Sequence, residues 1–312
     1  MLRKKIVHVR AAPGSERRAV TAVERIDEAD PVAIGDQVNL VQTGNGEGWI
    51  VEVLPRRNKL SRRASGSLPL EQVIAANVDQ MMTVIAAALP APYLAMLDAL
   101  LADAEAAEIP AVICITRMDL IDEWTIADDV EVYKRLGYPV LLTSAESGVG
   151  IDEARAALTG KMTALLGNSG VGKSTLLNCI QPELGLRVGE VSLARSEGRH
   201  TTSHVEMFEL EGGGYVIDTP GMRQFGLWGR QEGDPGYLYP EIRDLVGRCR
   251  FGSDCSHTHE PGCAIKEAVK RGDLVERRYQ SYLGMTGGRE MSKEDRARER
   301  RARGKRISTW RR

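Results

Sequence analysis

The pattern of hydrophobic and polar positions divides the chain into three zones. In residues 1–68, short apolar stretches at 5–9, 38–41 and 49–54 are separated by turn-forming clusters, which predicts a small β-barrel. In residues 69–240, wholly apolar runs alternate with amphipathic segments. This alternation predicts an α/β domain whose sheet has helices on both faces. In residues 241–312 the chain is charged and helical in pattern.

The strands of the middle zone are the most clearly marked elements. Six are predicted, at 81–87, 111–115, 139–142, 163–166, 204–210 and 215–217. The continuous apolar runs are typical of parallel strands that are buried on both faces. Leucines at positions 94, 97, 100 and 101 have helical spacing, so a helix with one face in the core should follow the first strand.

The composition is that of a soluble globular protein with two or three domains. The 312 residues are 42% hydrophobic and 27% charged, which excludes a fully disordered or collagen-like chain. The best apolar stretch, at 73–89, is interrupted by Asn77 and Asp79, so we expect no membrane partner. His8 and Arg10 interrupt the apolar run that a signal peptide needs. We therefore expect a cytoplasmic protein whose five cysteines are thiols or metal ligands.

The charges are distributed unevenly. Residues 289–312 contain 11 Lys+Arg and 4 Asp+Glu, a net charge of +7, whereas the other 288 residues contain 31 and 39, a net charge of −8. A second basic stretch, at 56–63, contains Arg56, Arg57, Lys59, Arg62 and Arg63. An acidic body with basic flanks indicates a polyanionic partner, although a solvated helix end explains the tail equally well.

An eight-residue motif marks a phosphate site. Gly167-Asn168-Ser169-Gly170-Val171-Gly172-Lys173-Ser174 matches G-x-x-x-x-G-K-[ST], with a predicted strand before it and a helix, predicted at 175–180, after it. The glycines allow successive backbone N–H groups to point at phosphate oxygens. We expect Lys173 to reach the β- and γ-phosphates and the Ser174 hydroxyl to bind Mg²⁺. The motif therefore predicts a nucleoside triphosphate site.

Two further segments suit the γ-phosphate side of such a site. Asp218-Thr219-Pro220-Gly221 follows a predicted strand, where the carboxylate suits Mg²⁺ and the Gly221 N–H suits the γ-phosphate. The polar loop Gly198-Arg199-His200-Thr201-Thr202 lacks periodicity, and Thr202 is a candidate second Mg²⁺ ligand. His200 is a candidate for orienting the attacking water. A packing or capping role for His200 is the alternative.

Two other strand ends suit a purine base. Thr116-Arg117-Met118-Asp119 ends one predicted strand, and Ser144-Ala145 follows the next. A carboxylate such as that of Asp119 accepts from both the ring N–H and the exocyclic amine of guanine, a donor pair that adenine lacks. A backbone N–H at Ser144-Ala145 suits the guanine O6. Each segment taken alone is an ordinary loop fragment.

Three cysteines and a histidine form a metal-binding pattern near the start of the third zone. Cys249, Cys255, His257 and Cys263 lie within 15 residues, and three thiolates with one imidazole complete the closed tetrahedral shell of a structural Zn²⁺. His259 competes with His257 as the fourth ligand. Cys114 and Cys179 lie in apolar surroundings and are interpreted as core thiols.

Together these motifs resemble the RsgA family, circularly permuted GTPases that depend on the small ribosomal subunit. Asp119, the Ser-Ala pair, the P-loop, the His-Thr-Thr loop and the Asp-x-Pro-Gly turn are all those of a GTPase, but base recognition precedes the P-loop. The resemblance extends to Arg56-Arg57-Asn58-Lys59-Leu60 and Pro261-Gly262-Cys263. One departure is Thr116-Arg117, where the family usually has Asn-Lys or Thr-Lys; the stem of Arg117 still suits a contact with the base.

The resemblance implies a function and a set of site residues. It implies an OB-fold-like barrel at 1–68, a permuted GTPase domain at 69–240 and a zinc-binding domain with a basic tail at 241–312. It favours His257 over His259 as the zinc ligand. The implied GTP-binding residues are Thr116, Arg117, Met118, Asp119, Ser144, Ala145, Gly167, Asn168, Ser169, Gly170, Val171, Gly172, Lys173, Ser174, Thr175 and Gly221. The implied Mg²⁺ ligands are Ser174, Thr202 and Asp218.

The leading hypothesis is therefore a monomeric GTPase that acts in late maturation and quality control of the small ribosomal subunit. It would bind GTP and GDP, Mg²⁺, one structural zinc ion and ribosomal RNA. A second hypothesis is an RNA-binding module that senses GTP with negligible turnover. A third, a small-molecule kinase, is disfavoured by the base-reading Asp119 and by the absence of any apparent acceptor site in the sequence.

Overall fold

The computed structural model describes residues 4–9, 20–25, 32–44, 47–63, 71–186, 205–218 and 233–286. The strands in these parts of the chain are β1 (Lys4–Val9), β2 (Val20–Arg25), β3 (Val38–Gly44), β4 (Glu47–Val53), β5 (Lys59–Arg63), β6 (Glu71–Ala76), β7 (Gln80–Ala86), β8 (Ala111–Thr116), β9 (Val140–Leu142), β10 (Met162–Leu166), β11 (Glu206–Glu209) and β12 (Tyr215–Asp218). The α-helices are α1 (Leu94–Ala106), α2 (Ala127–Arg135), α3 (Ile151–Leu158), α4 (Lys173–Ile180), α5 (Ala264–Arg271) and α6 (Glu276–Met285).

A six-stranded sheet forms the centre of the middle zone. Its order is β11-β12-β10-β7-β8-β9, with parallel pairing throughout except for the antiparallel edge strand β11. All six predicted strands of this zone are confirmed, with ends shifted by one or two residues. Every residue of β7 and β8 is buried, as expected for strands covered on both faces.

Helices cover the sheet on both faces, as the sequence predicts. Successive residues of β7 point to opposite faces, so Met81 and Ile85 join one hydrophobic cluster while Met82 and Val84 join another. The first cluster includes the buried faces of α1 and α2, and the second includes those of α3 and α4. The core therefore consists of two layers that share the sheet.

The N-terminal zone contains more strand than the sequence pattern indicates. β1, β2, β4 and β3 form a four-stranded sheet in that order, and β5 and β6 form a separate antiparallel hairpin. The strands β2, β5 and β6 were not predicted, because their charged or small residues give no clear alternation. In the described residues no ladder joins the four-stranded sheet to the hairpin, so closure into a barrel stays a prediction.

The boundary predicted at residue 68 falls inside the β5–β6 hairpin. β5 pairs with β6 across it, and Asn58 holds the chain beyond β6 by both polar atoms of its amide. Its Nδ2 donates to the Val78 carbonyl at 2.8 Å, and its Oδ1 accepts from the Val78 N–H at 2.8 Å. The hairpin therefore contacts the segment that leads into β7, the first strand of the central sheet. The serine- and glycine-rich sequence from which the boundary was predicted gives no sign of these contacts.

A buried ionic cluster joins the C-terminal zone to the central domain. Asp98 of α1 is fully buried and accepts hydrogen bonds from Tyr133 of α2 and from three residues of α6, at 2.5–2.9 Å; the latter are Arg277, Arg278 and Ser281. Arg278, only 1% exposed, also donates twice to Glu241, at 2.6 and 3.0 Å. Its guanidinium lies 4.7 Å from the centroid of the Tyr239 ring. Each buried charge therefore has an opposite charge and hydrogen bonds to offset its desolvation.

None of the helices in the described part of the chain is long and apolar enough to span a bilayer.

The ionic cluster makes stability depend on Asp98. Replacing Asp98 by Ala leaves the guanidinium of Arg278 buried without that carboxylate, which should lower the free energy of unfolding by about 3–5 kcal/mol. Urea unfolding measures this loss. The control is Glu131→Ala, which removes the exposed pair between Glu131 and Arg135 and should cost less than about 1 kcal/mol. Equal losses in the two variants would contradict a stabilising role for the cluster.

Candidate functional site

The P-loop connects β10 to α4 by a turn that requires glycine. Gly167, Gly170 and Gly172 all have positive φ, at 152°, 80° and 99°. A Cβ at Gly167 would lie 2.3 Å from the Val84 carbonyl oxygen of the neighbouring strand, so no larger residue fits there. Gly172 directly precedes the first turn of α4, whose free N–H groups form an anion site.

Lys173 lies where the sequence predicts a phosphate-binding lysine. It is the first residue of α4, and its ammonium donates to the carbonyls of Gly167 and Asn168 at 2.7 and 3.0 Å. Burial lowers the pKa of Lys173, and the nearby carboxylate of Asp218 opposes that shift. Asp218 ends β12 and pairs with Leu165 of β10, which puts it level with the start of the P-loop.

The loop predicted to contact the base follows β8 by way of a left-handed residue. Arg117 has φ 62°, and a 3₁₀ turn over Met118–Leu120 follows. Ser144 is buried, and its hydroxyl donates to Oδ1 of Asp119 at 2.5 Å. The structure thus brings the two predicted base segments together, with the carboxylate of Asp119 held by the serine of the second segment.

The same loop is fastened to the P-loop by two hydrogen bonds. The Thr116 hydroxyl donates to the Val171 carbonyl at 2.5 Å, and the Arg117 guanidinium donates to the Gly170 carbonyl at 2.9 Å. Both acceptors are main-chain oxygens of consecutive P-loop residues. The unusual Thr-Arg pair therefore joins the base segment to the phosphate segment.

A cavity of about 210 Å³ lies between these segments. Of the predicted residues, Thr116, Arg117, Asp119, Ala145, Gly172 and Thr175 line it; Leu120, Thr143, Glu146 and Leu176 line it as well, and the sequence did not indicate them. Met118 packs against the hydrophobic core instead. Met118 begins the 3₁₀ turn over 118–120, in which each side chain is rotated by about 120° from the one before it, so Met118 and Asp119 face different directions.

Three of the predicted γ-phosphate residues lie outside the described part of the chain. His200, Thr202 and Gly221 belong to 187–204 and 219–232, which the structure does not describe. Their roles stay predictions.

The four predicted zinc ligands meet in one buried group. Their ligand atoms all lie within 4.8 Å of one another, and Cys249 Sγ lies 3.7 Å from Cys263 Sγ and 3.5 Å from His257 Nδ1. A tetrahedron with typical Zn–S and Zn–N bonds has edges of about 3.8 Å between sulfurs and about 3.5 Å from sulfur to nitrogen. The group therefore fits a zinc ion, whereas His259 is exposed and contacts Thr258.

The surroundings of His257 fix its orientation. Its Nε2 lies 3.2 Å from Oδ2 of Asp234, which leaves Nδ1 facing the cysteines. A carboxylate behind a metal-binding imidazole sets its tautomer and raises its basicity. Tyr282 donates to the same carboxylate at 2.9 Å, and Tyr279 donates to the His257 carbonyl at 2.5 Å. Both tyrosines belong to α6, so this helix supports the metal group.

Three basic residues of the stretch at 56–63 pair with carboxylates within the protein. Arg56 is 11% exposed and makes a two-bond ion pair with Asp36, at 2.6 and 2.8 Å. Arg57 pairs with Asp79 and Lys59 with Glu71. The partner carboxylate of Arg56 lies 20 residues earlier and cannot be recognised from the run of positive charges, and contact of this stretch with a polyanion stays a prediction.

Comparisons with known proteins agree with this geometry. The sequence profile of the family described as RsgA GTPase matches residues 53–228, more than half of the chain. The small ribosomal subunit biogenesis GTPase RsgA of Phocaeicola vulgatus is 39% identical over 275 residues, which cover 86% of this chain and 87% of that protein. The protein of the same name from Gemmatimonas aurantiaca is 42% identical over 254 residues, or 81% of this chain and 82% of that one.

Two solved structures share the fold. YjeQ from Thermotoga maritima superposes with a TM-score of 0.69 and 32% identity, covering 90% of this chain and 92% of its own. YloQ, described as a circularly permuted GTPase, gives a TM-score of 0.65 and 31% identity, with 94% and 92% coverage.

Guanine selectivity should depend on Asp119. Asp119→Asn exchanges an acceptor for a donor at the guanine edge, so GTP affinity should fall by about 10- to 100-fold while xanthosine triphosphate binds better than it does to the parent. Titration of both nucleotides measures the change. Asp152→Asn, an exposed carboxylate of α3, is the matched control. Unchanged GTP affinity of the Asp119 variant would place the base elsewhere.

The zinc group should have a structural role. Cys255→Ser should abolish stoichiometric zinc and lower the unfolding temperature, because the loop around the metal has few apolar residues to hold it. Metal analysis and thermal unfolding measure both effects, and Cys179→Ser, a half-buried thiol outside the group, should change neither. A C-terminal zone that stays fully folded after chelation would contradict this role.

Proposed function

The chain belongs to the RsgA GTPase family, and on this premise we propose that it hydrolyses GTP to GDP and phosphate during biogenesis of the small ribosomal subunit. One observation carries the proposal. The side chains of Thr116 and Arg117 donate hydrogen bonds from the base-reading loop to carbonyls of the P-loop. Asp119 and the start of α4 line the same cavity. A nucleotide bound with its base against Asp119 then has its phosphates at the N-terminus of α4.

The chain's own groups supply charge stabilisation for attack by water on the γ-phosphate. The N–H groups of the P-loop and of the first turn of α4 hold the phosphate oxygens, and Lys173 exchanges its two carbonyl contacts for the β- and γ-phosphates. This positioning is most of the catalysis in phosphoryl transfer. His200 is proposed to orient the attacking water, and the Gly221 N–H to contact the γ-phosphate.

Magnesium has a suitable set of oxygen donors at this point. Ser174 is half-buried in the first turn of α4, and Asp218 ends the strand beside β10; we propose both as ligands, with Thr202 from the segment at 187–204. Hard oxygen donors of this kind suit Mg²⁺. When bound with GTP, Mg²⁺ neutralises charge that develops on the phosphate oxygens.

The zinc group supports a different part of the function. We propose that Cys249, Cys255, His257 and Cys263 hold one Zn²⁺ as a closed structural shell. The loop that they would fix carries the exposed residues Arg248, Arg250 and Phe251, with the Arg250 guanidinium 6.0 Å from the Phe251 ring centroid. A basic and aromatic surface suits ribosomal RNA, whose phosphates and bases it can contact.

The small ribosomal subunit is the proposed partner, because the similar proteins are named for its biogenesis. The basic tail at 289–312 adds a second group of charges for phosphate contacts. The stretch at 56–63 contributes less than its sequence indicates, since Arg56, Arg57 and Lys59 pair with carboxylates. We propose that the protein acts as a monomer in the cytoplasm, where this partner is found.

Phosphate release with and without purified small subunits tests the proposal. Saturating subunits should raise turnover of GTP by at least about tenfold, and the Asp119→Asn variant should transfer the stimulated activity to xanthosine triphosphate. This switch shows that the activity belongs to this chain and not to a contaminant. Lys173→Ala, which loses the phosphate-binding ammonium, is the inactive control.

The alternative function gives a different result in the same assay. A GTP-sensing RNA-binding module would bind subunits and nucleotide but release no more phosphate with subunits than without them. That outcome would overturn the hydrolytic proposal while leaving the nucleotide site in place.

A further inference from the structure

Helix α6 contacts the central domain with one side and the zinc group with another. Successive residues of an α-helix are rotated by about 100°, so positions 277, 278 and 281 lie together and positions 279 and 282 lie together on a different side. The residues of the first side all donate to Asp98 of α1, at 2.5–2.9 Å, and are Arg277, Arg278 and Ser281. The second side carries two tyrosines.

The two tyrosines hold the histidine of the zinc group and the carboxylate behind it. Tyr279 donates to the His257 carbonyl at 2.5 Å, and Tyr282 donates to Oδ1 of Asp234 at 2.9 Å. The other oxygen of Asp234 lies 3.2 Å from Nε2 of His257. The position of the imidazole relative to the cysteines therefore depends on where α6 lies.

Buried packing connects the two sides of the helix. Arg278 is 1% exposed and Tyr282 is fully buried, and the ring of Tyr239 lies against both. Its centroid is 4.7 Å from the Arg278 guanidinium and 5.8 Å from the centroid of the Tyr282 ring, in an edge-on arrangement. Close-packed interiors transmit displacements, so a shift of α6 away from α1 also moves Tyr282 relative to Asp234.

We propose that Asp98 is a positioning residue for the zinc ion and acts through α6. Its carboxylate holds the helix where Tyr279 and Tyr282 reach His257 and Asp234. Coupling between two sites is reciprocal, so a bound zinc ion also holds α6 against α1. This inference rests on the zinc shell of the proposed function and not on GTP hydrolysis.

The affinity for Zn²⁺ measures one direction of the coupling. Asp98→Asn keeps the size of the side chain and removes its charge, so Arg277 and Arg278 lose a charge partner. Zn²⁺ affinity, measured by competition with a chromogenic chelator, should fall by about tenfold, which is typical of coupled sites. Ser281→Ala is the milder variant, because it removes one hydrogen bond and leaves the charges in place. It should lower Zn²⁺ affinity by about threefold.

Hydrogen exchange measures the other direction. Removal of zinc by chelation should speed exchange of the backbone amides of α1, because α6 then holds α1 less firmly. The amides of α3, which packs in the other hydrophobic cluster, should keep their exchange rates. In Asp98→Asn the same chelation should speed exchange in α1 much less than in the parent, since that connection is already lost.

Two controls separate positioning from stability. Leu158→Ala removes a fully buried side chain of α3 from the other hydrophobic cluster and should lower stability by a similar amount with unchanged Zn²⁺ affinity. Arg243→Ala removes an ion pair that joins the C-terminal zone to Glu105 of α1 without involving α6. It too should leave Zn²⁺ affinity unchanged.

A double-mutant cycle tests the route through the helix. Tyr282→Phe removes only the hydroxyl that donates to Asp234 and should lower Zn²⁺ affinity by about tenfold, as loss of support behind a metal ligand does. In the Asp98→Asn background the same change should cost much less, because α6 has already left its position. Fully additive losses would refute action through Tyr282.

The outcomes separate this inference from the proposals that precede it. A parent protein without subunit-stimulated turnover would refute hydrolysis alone, because the Zn²⁺ titrations do not depend on turnover. A parent that binds no Zn²⁺ would refute the zinc shell and this inference together. One Zn²⁺ per chain, with parental affinity in Asp98→Asn and Ser281→Ala, would refute the inference alone. An equal loss of Zn²⁺ affinity in Leu158→Ala would also refute it, because the role of Asp98 would then be stability.

Discussion

The nucleotide site depends on one property of parallel sheets, which is that their strands all end at the same edge. The loops after β8, β9, β10 and β12 carry the base, phosphate and magnesium candidates, and these strands are parallel in one sheet. Their order in space is set by the ladders and not by the order along the chain. A chain in which the base segment precedes the P-loop can therefore form the same nucleotide site as one with the opposite order. The hydrogen bonds from Thr116 and Arg117 to the P-loop hold the base segment against the phosphate segment.

One helix of the C-terminal zone, α6, contacts both the metal group and the central domain. Tyr279 and Tyr282 of α6 hold the backbone of His257 and the carboxylate behind it, while Arg277 and Arg278 of the same helix reach Asp98. Ala102 of α1 even belongs to the hydrophobic cluster that contains the cysteines. The metal group and the central domain are thus parts of one packed structure, although they are well separated in sequence.

Much of this arrangement could be predicted because it is local in sequence. The buried strands can be recognised as apolar runs in the sequence, and the P-loop can be recognised because it requires glycines at fixed positions. The four predicted zinc ligands lie within one short stretch, Cys249, Cys255, His257 and Cys263. The contacts that could not be predicted from the sequence are those between segments that the fold brings together. The ion pair of Arg56 with Asp36, the packing of Met118 against the core and the place of Glu146 on the cavity each depend on segments whose approach only the fold creates. The strand β5 was hidden for the same reason, since its basic residues pair with β6 across a serine-rich stretch.

The buried ionic cluster has a consequence for synthesis of the protein on the ribosome. Asp98 and Arg278 are 180 residues apart, so at about 5–20 residues per second the carboxylate is made roughly 10–40 s before its partner. Throughout that interval burial of α1 would take a charge out of water without its main counter-ion, which is costly. This face of α1 can therefore acquire its counter-ions only after α6, the last helix in the described part of the chain, has been synthesised with its two arginines.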